Sequence, residues 1–224
     1  MESLIDGVRR FQGDVFPEKS EHFLSLARDG QSPKTLMISC ADSRVVPELI
    51  TQSEPGDLFV CRNAGNIVPP WQRANGGVSS AIEYAIVALG VSDVVVCGHS
   101  DCGAMKGILS PEALTEMPSV AAWLGHADAA RETVKACCGD LDADSRLSAL
   151  IEENVIVQLN NLRGHPSVAA AMAKGVLRLH GWIYDIQSGG IRALDATKRF
   201  REAGEDGSLS VADFGRQQQP AEQV

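Results

Sequence analysis

The sequence has no apolar run of the roughly eighteen residues that a membrane span needs. Its opening stretch, "MESLIDGVRRFQGD", lacks the basic start and apolar core of a secretory signal, so a cytoplasmic protein is expected. It has no basic stripe. The net charge is −9, which argues against a surface that tracks nucleic-acid phosphates and mainly favours solubility. No C-x-x-C occurs, so the usual thiol-redox motif is absent. Neither "RNAGN" nor "NGG" matches a phosphate loop or a dinucleotide fingerprint. No internal repeat or clear linker divides the 224 residues. One domain over 1–214 is therefore expected, long enough to bury a real core. The polar end, "GRQQQPAEQV" (215–224), is expected to be disordered.

What is present is 44% hydrophobic, a globular composition. "LIDGVRRFQGDVF" places Leu4, Ile5, Val8, Phe11 and Val15 at helical spacing. Pro17 is expected to open a second helix that stops at Gly30, which makes an N-terminal helical arm of about residues 1–30. "TLMIS", "DLFVC" (57–61) and "DVVVCG" (93–98) read as buried strands. "GGVSSAIEYAIVALG" (76–90), with Val78, Ala81, Ile82, Ala85 and Leu89 on one face, reads as a helix between the last two. A long helix carries Leu147, Leu150, Ile151, Val155, Leu159 and Leu162 in register and ends at Gly164 and Pro166. "GVLRLHGWIYDI" is a fourth strand, with Trp182, Tyr184 and Ile186 alternating. "QSGG" turns it into an antiparallel partner, "IRAL". Apolar strands alternating with helices predict an α/β fold. Its mostly parallel sheet, in the order 2-1-3-4 with an antiparallel edge strand, is covered by helices on both faces.

Six cysteines occur, and in a cytosolic enzyme they suggest metal ligation or buried free thiols rather than disulfides. Cys61 and Cys97 fall inside apolar strands and read as core. Cys137 and Cys138 are adjacent on a helix and read as incidental. His22, His126, His165 and His180 have no partner at ligand spacing. Cys40 ends one strand in "ISCADSRVVPE", and "GHSDCG" follows another with His99 and Cys102 at H-x₂-C spacing. In a parallel sheet such strand ends share one edge, where ligands bind. Two thiolates and an imidazole suit Zn²⁺, and three protein ligands leave a fourth position open. Asp42 is the local candidate to bind the metal or a metal-bound water. Each of these residues alone has a plainer reading, a buried thiol or a surface ion pair of Asp42 with Arg44.

Together, "CADSRV", "RNAGN" and "GHSDCG" resemble the β-class carbonic anhydrases, and the likeness continues through "AIEYA", "ENVIVQLNNL" and "LHGWIYDI". It looks closest to the bacterial branch often associated with cyanate degradation. The resemblance implies reversible hydration of CO₂ to bicarbonate by attack of zinc-bound hydroxide. Cys40, His99 and Cys102 would hold one Zn²⁺ per subunit. Asp42 and Arg44 would form a dyad beside the open position, with Asp42 a conditional fourth ligand. Gln31, Phe59, Ala64, Tyr84 and Gly103 match substrate-binding positions, Gln31 serving a partner subunit's site. The family also implies homodimers that pair into tetramers or larger assemblies, the first helix embracing a partner. The closed, bicarbonate-inhibited branch carries a Trp, an Arg and a Tyr. This sequence has Arg62 and Tyr184 but Met37 in place of the Trp, so an open site is expected. Rival readings are hydrolysis of carbonyl sulfide or carbon disulfide at the same site, and a low-turnover zinc- or bicarbonate-binding protein.

Overall fold

The computed structural model describes residues 1–72, 76–195 and 199–202. The 215–224 tail lies outside them. The chain begins with α1 (Glu2–Arg10) and α2 (Phe16–Asp29). Then come β1 (Thr35–Cys40), α3 (Pro47–Thr51), β2 (Leu58–Asn63), α4 (Gly77–Glu83) and β3 (Asp93–His99). Next are α5 (Gly103–Leu109), α6 (Pro118–Leu124), α7 (Asp128–Cys137), α8 (Ala143–Arg163) and α9 (Pro166–Ala173). The chain closes with β4 (Arg178–Tyr184), β5 (Ile191–Leu194) and β6 (Phe200–Glu202).

The strands form one sheet in the order β2-β1-β3-β4-β5-β6. The first four are parallel, and β5 and β6 are antiparallel additions. The expected order is therefore found. The antiparallel edge is β6 rather than the "IRAL" strand, which is β5 and pairs on both sides.

Pro17 stands at the opening of α2, as expected, but no loop precedes it. Residues Phe11–Val15 form a π-type turn that joins α1 to α2, and the Phe16 amide reaches back to the Phe11 carbonyl. The proline then sits in the first turn of α2, where its missing N–H costs little. On β4 the alternation is offset. Leu179 and Ile183 are buried, while Trp182 and Tyr184 are half-buried on the other face and Ile186 lies beyond the strand.

The main core lies between the sheet and α8. Leu150, Val155, Leu159 and Leu162 pack with Ile38, Val94, Val96 and Ile183, all essentially inaccessible. Burying each such side chain contributes about 1.5–3 kcal/mol. Glycines let the helix come this close. A Cβ at Gly98 would lie 3.0 Å from Val155 Cγ2, and one at Gly181 would lie 2.9 Å from Val155 Cγ1. Gly98 precedes His99, so this approach also sets the level of the strand end. The opposite face carries a smaller cluster of Met37, Val95 and Cys97.

The β3–β4 register is pinned by an ionic contact. Arg178 forks onto both Asp93 oxygens at 2.8 Å, and His180 Nε2 meets Asp93 Oδ1 at 2.8 Å. Burial pushes the Asp93 carboxyl up, but hydrogen bonds from Arg178, His180 and Ser92 outweigh it and hold the group at about 2. A carboxyl held below its unfolded value stabilises the fold fully above about pH 4, and that support fades as pH falls through the folded value. Asp93→Asn should thus lower stability by about 1 kcal/mol at neutral pH. The Tm gap from wild type should narrow as the buffer is taken toward about pH 3. A gap constant with pH would contradict this assignment.

Candidate metal centre

The site forms where β1 and β3 end side by side. Cys40 is the last residue of β1 and His99 the last of β3, and Cys102 follows one tight turn later. Their ligand atoms all lie within 4.8 Å of one another, and all three residues are buried. His99 Nδ1 is 2.8 Å from the Ser100 carbonyl. A carbonyl only accepts, so Nδ1 carries a proton, and Nε2 is the ring nitrogen left to face a metal. Nε2 is buried and has no hydrogen-bond partner. Such a nitrogen is costly to bury unless something binds it.

The two thiols act on each other. Hydrogen bonding with Cys102 lowers the Cys40 thiol, and the same contact raises Cys102. A divalent cation would replace the shared proton and take both sulfurs as thiolates. The Gly65 amide also donates to Cys40 Sγ at 3.4 Å. This donor set fits a soft-to-borderline metal.

Asp42 stands beside the group. Its Oδ2 is 3.9 Å from His99 Nε2. Both its oxygens accept from Arg44, Nε to Oδ1 at 2.9 Å and Nη2 to Oδ2 at 2.8 Å, and the Arg44 backbone amide adds a third bond at 3.0 Å. The Arg44 side chain holds the Asp42 carboxyl well below the usual carboxylate range. Arg62 braces the strand end from behind, donating to the carbonyls of Cys40 and Asp42.

The loop carrying Gly65 is fastened from α8. Asn154 Nδ2 donates to the Gly65 carbonyl at 3.0 Å, and Gln158 Oε1 accepts from the Val68 amide at 2.9 Å. A 2.9 Å bond links the two side chains. Apolar periodicity did not reveal these residues, because a polar side chain on an otherwise apolar face looks like an exposed position. A second missed pair is Asp101, inside the H-x₂-C motif, and Lys106, four residues after its cysteine. Asp101 contacts Arg44, and Lys106 contacts Asp101.

The substrate candidates scatter. Gly103 begins α5 directly after Cys102, and a Cβ there would meet nothing within 4 Å. Ala64 follows β2, and its carbonyl accepts from Trp123 Nε1 at 2.9 Å. Phe59 pairs in register with Leu36, near the far end of β1, and its ring lies 5.9 Å from Tyr84. At about 3.3 Å per residue, Phe59 sits roughly 13 Å along the sheet from the Cys40 level. Gln31 precedes β1 and is exposed, farther still.

Cys97 is fully buried, which pushes its thiol up to about 12. Cys61 is only half-buried, because β2 is the outermost strand. The other histidines serve the scaffold. His22 and His165 bond the carbonyls of Pro55 and Pro69, His180 meets Asp93, and His126 packs edge-on to Trp123. Cys137 ends α7 and faces Cys138 at 2.8 Å between sulfurs.

Residues 35–191 match the family model described as carbonic anhydrase. A carbonic anhydrase of Pseudomonas aeruginosa is 58% identical over 201 residues, covering 89% of this chain and 90% of the relative. Carbonic anhydrase 1 of Escherichia coli O157:H7 is 54% identical over 201 residues, covering 89% and 91%. The solved structure of the β-carbonic anhydrase CcaA superposes with a TM-score of 0.89 at 44% identity, over 95% of this chain and 94% of that one. A structure from a study of two tetrameric β-carbonic anhydrases of Sordaria macrospora gives a TM-score of 0.74 at 30% identity, over 91% and 96%. With this fold, this donor group and these relatives, the chain belongs to the β-class carbonic anhydrase family.

Proposed function

We propose that the protein catalyses the reversible hydration of CO₂ to bicarbonate and a proton, with Zn²⁺ held by Cys40, His99 and Cys102. The observation that carries this reading is the buried, unpartnered His99 Nε2 in a residue grouped with two thiols, with an ionised Asp42 alongside. Bound there, Zn²⁺ supplies the Lewis acidity that makes water nucleophilic near neutral pH. Asp42 is an acceptor-only carboxylate, so it takes a hydrogen bond from the attacking water and orients it toward CO₂. Arg44 keeps Asp42 ionised and turned from the metal, because direct ligation would break its paired hydrogen bonds. A metal held by Cys40, His99 and Cys102 would then not take Asp42 as a ligand.

No bicarbonate switch is expected through Arg62 and Tyr184. Met37 is 1% exposed where that trio would need its Trp, and Arg62 is committed to backbone carbonyls. Gly103 and Ala64 border this subunit's own site. Gln31, Phe59 and Tyr84 would serve a second copy's site, since they lie at the far end of the sheet. The test is zinc-loaded enzyme offered CO₂ and carbonyl sulfide in turn. Fast CO₂ hydration with negligible sulfide release supports the reading, and the reverse preference would replace it.

The protein works as a homodimer or a larger assembly of dimers. No residue of α1 or α2 is buried, and the arm exposes Leu4 at 68% and Val8 at 55%. A second copy would cover this stripe. Light scattering should give an even multiple of the monomer mass, and Leu4→Asp/Val8→Asp should shift it toward monomer. A monomeric wild type would contradict the assembly. The free thiols suit a reducing compartment such as the cytoplasm. No helix among the described residues is long and apolar enough to cross a membrane.

A further inference from the structure

We propose that Asp101 is a positioning residue for the reaction. It clamps Arg44 from the side opposite Asp42, and so fixes the carboxylate that orients water; the inference rests on the functional reading above. Arg44 is a long side chain with 44% of its surface exposed. Such a side chain loses much rotamer freedom when fixed, and a single exposed ion pair holds it weakly. Here the guanidinium is gripped along two edges. Nε and Nη2 fork onto Asp42. Nη1 donates to Asp101 Oδ2 at 2.9 Å, and Nη2 also donates to the Asp101 backbone carbonyl at 3.2 Å. Lys106, one turn into α5, takes the other Asp101 oxygen.

The backbone explains how one residue offers both acceptors. Asp101 has φ of 59°, in the left-handed region, and turns its carbonyl and its carboxylate toward the same guanidinium. Aspartate adopts this conformation more readily than most residues. Asp101 lies between His99 and Cys102, whereas Asp42 and Arg44 follow Cys40. The clamp therefore ties the dyad on one strand end to the ligand turn on the other. Without it, Arg44 keeps one partner and Asp42 loses a fixed orientation. Ångström-scale misplacement of a positioned group can cost about a hundredfold in rate, and a partial loosening should cost about tenfold.

The test uses Asp101→Gly and Asp101→Asn in the full-length zinc enzyme. Glycine keeps the left-handed turn without strain but removes the carboxylate. Asparagine keeps both the turn and one acceptor oxygen. Asp101→Gly should lower kcat about tenfold with KM little changed. Zinc content should stay at the wild-type level, and the Arg44 side-chain Nε–H signal in ¹⁵N NMR should broaden or shift toward free guanidinium. Asp101→Asn should recover most of the rate and the signal. In an Arg44→Gln background, Asp101→Gly should cost nothing further. The proposal is overturned if Asp101→Gly matches wild type in rate and Arg44 signal. Zinc loss, or an equal penalty in both backgrounds, would also overturn it, because either places the effect in the metal turn and not in Arg44. A wild type that does not hydrate CO₂ would defeat the functional reading instead, while the NMR comparison would still judge the clamp.

Discussion

Cys40→Ser is expected to drop bound zinc well below wild type and to cut CO₂ hydration by at least about a thousandfold. A serine hydroxyl stays protonated at neutral pH and is a poor partner for a borderline-soft ion. The Cys40 sulfur sits at the buried end of the second strand in the sheet, where the Gly65 amide donates to it at 3.4 Å. That amide is held in place by the bonds of Asn154 to Gly65 and of Gln158 to Val68. Metal analysis of the purified variant, with stopped-flow hydration on the same sample, reads both effects. Full zinc with near-normal turnover would remove Cys40 from the proposed ligand set.

Asp42→Asn separates the dyad from the metal. The variant should keep its zinc, because Asp42 Oδ2 lies 3.9 Å from His99 Nε2 and is turned toward Arg44. Its kcat should fall about a hundredfold, the scale seen when one preorganised polar group is removed from an active site. An amide cannot reproduce the carboxylate. It would present a donor where the water needs an acceptor, or a donor to the Arg44 fork. The pH dependence follows with its sign. Hydrogen bonds from Arg44 hold the Asp42 carboxyl below the usual range, so it is ionised throughout the neutral range. Protonation of Asp42 therefore adds no acid limb to the neutral profile. In Arg44→Gln that support is gone and the carboxyl returns toward its ordinary value of about 4, so a loss beyond the wild-type profile should appear only as the pH approaches about 4. An Asp42→Asn enzyme with wild-type kcat would reduce the dyad to a surface ion pair.

The site was legible in the sequence because its chemistry is concentrated in two short runs, each directly after an apolar strand. Parallel packing brings such ends together, so Cys40, His99 and Cys102 could be gathered before any coordinates. The same convergence makes β1 and β3 neighbours, as the sheet has them, but it does not place β2 and β4. What escaped is long-range or conformational. Asp101 looked like a spacer between two ligands, and its left-handed backbone is not written in its identity. Asn154 and Gln158 occupy an inward face of α8, where a periodicity count expects apolar residues. The π-type turn at Phe11–Val15, which carries α1 straight into the α2 that Pro17 opens, is not written in its residue types. Phe59 and Tyr84 have the right neighbours in sequence but sit along the sheet from their own site, which only a second copy would reconcile.

The most direct measurement is zinc content together with the CO₂-hydration rate from about pH 6 to about pH 9 on the same wild-type preparation. Two thiolates leave the metal a weaker acid than the neutral-histidine site whose bound water ionises near 7, so the controlling ionisation should lie above about 7. The account predicts one zinc per chain and a rate that climbs with pH across that window. A zinc-replete enzyme with a flat profile, or one with no hydration at all, would contradict it.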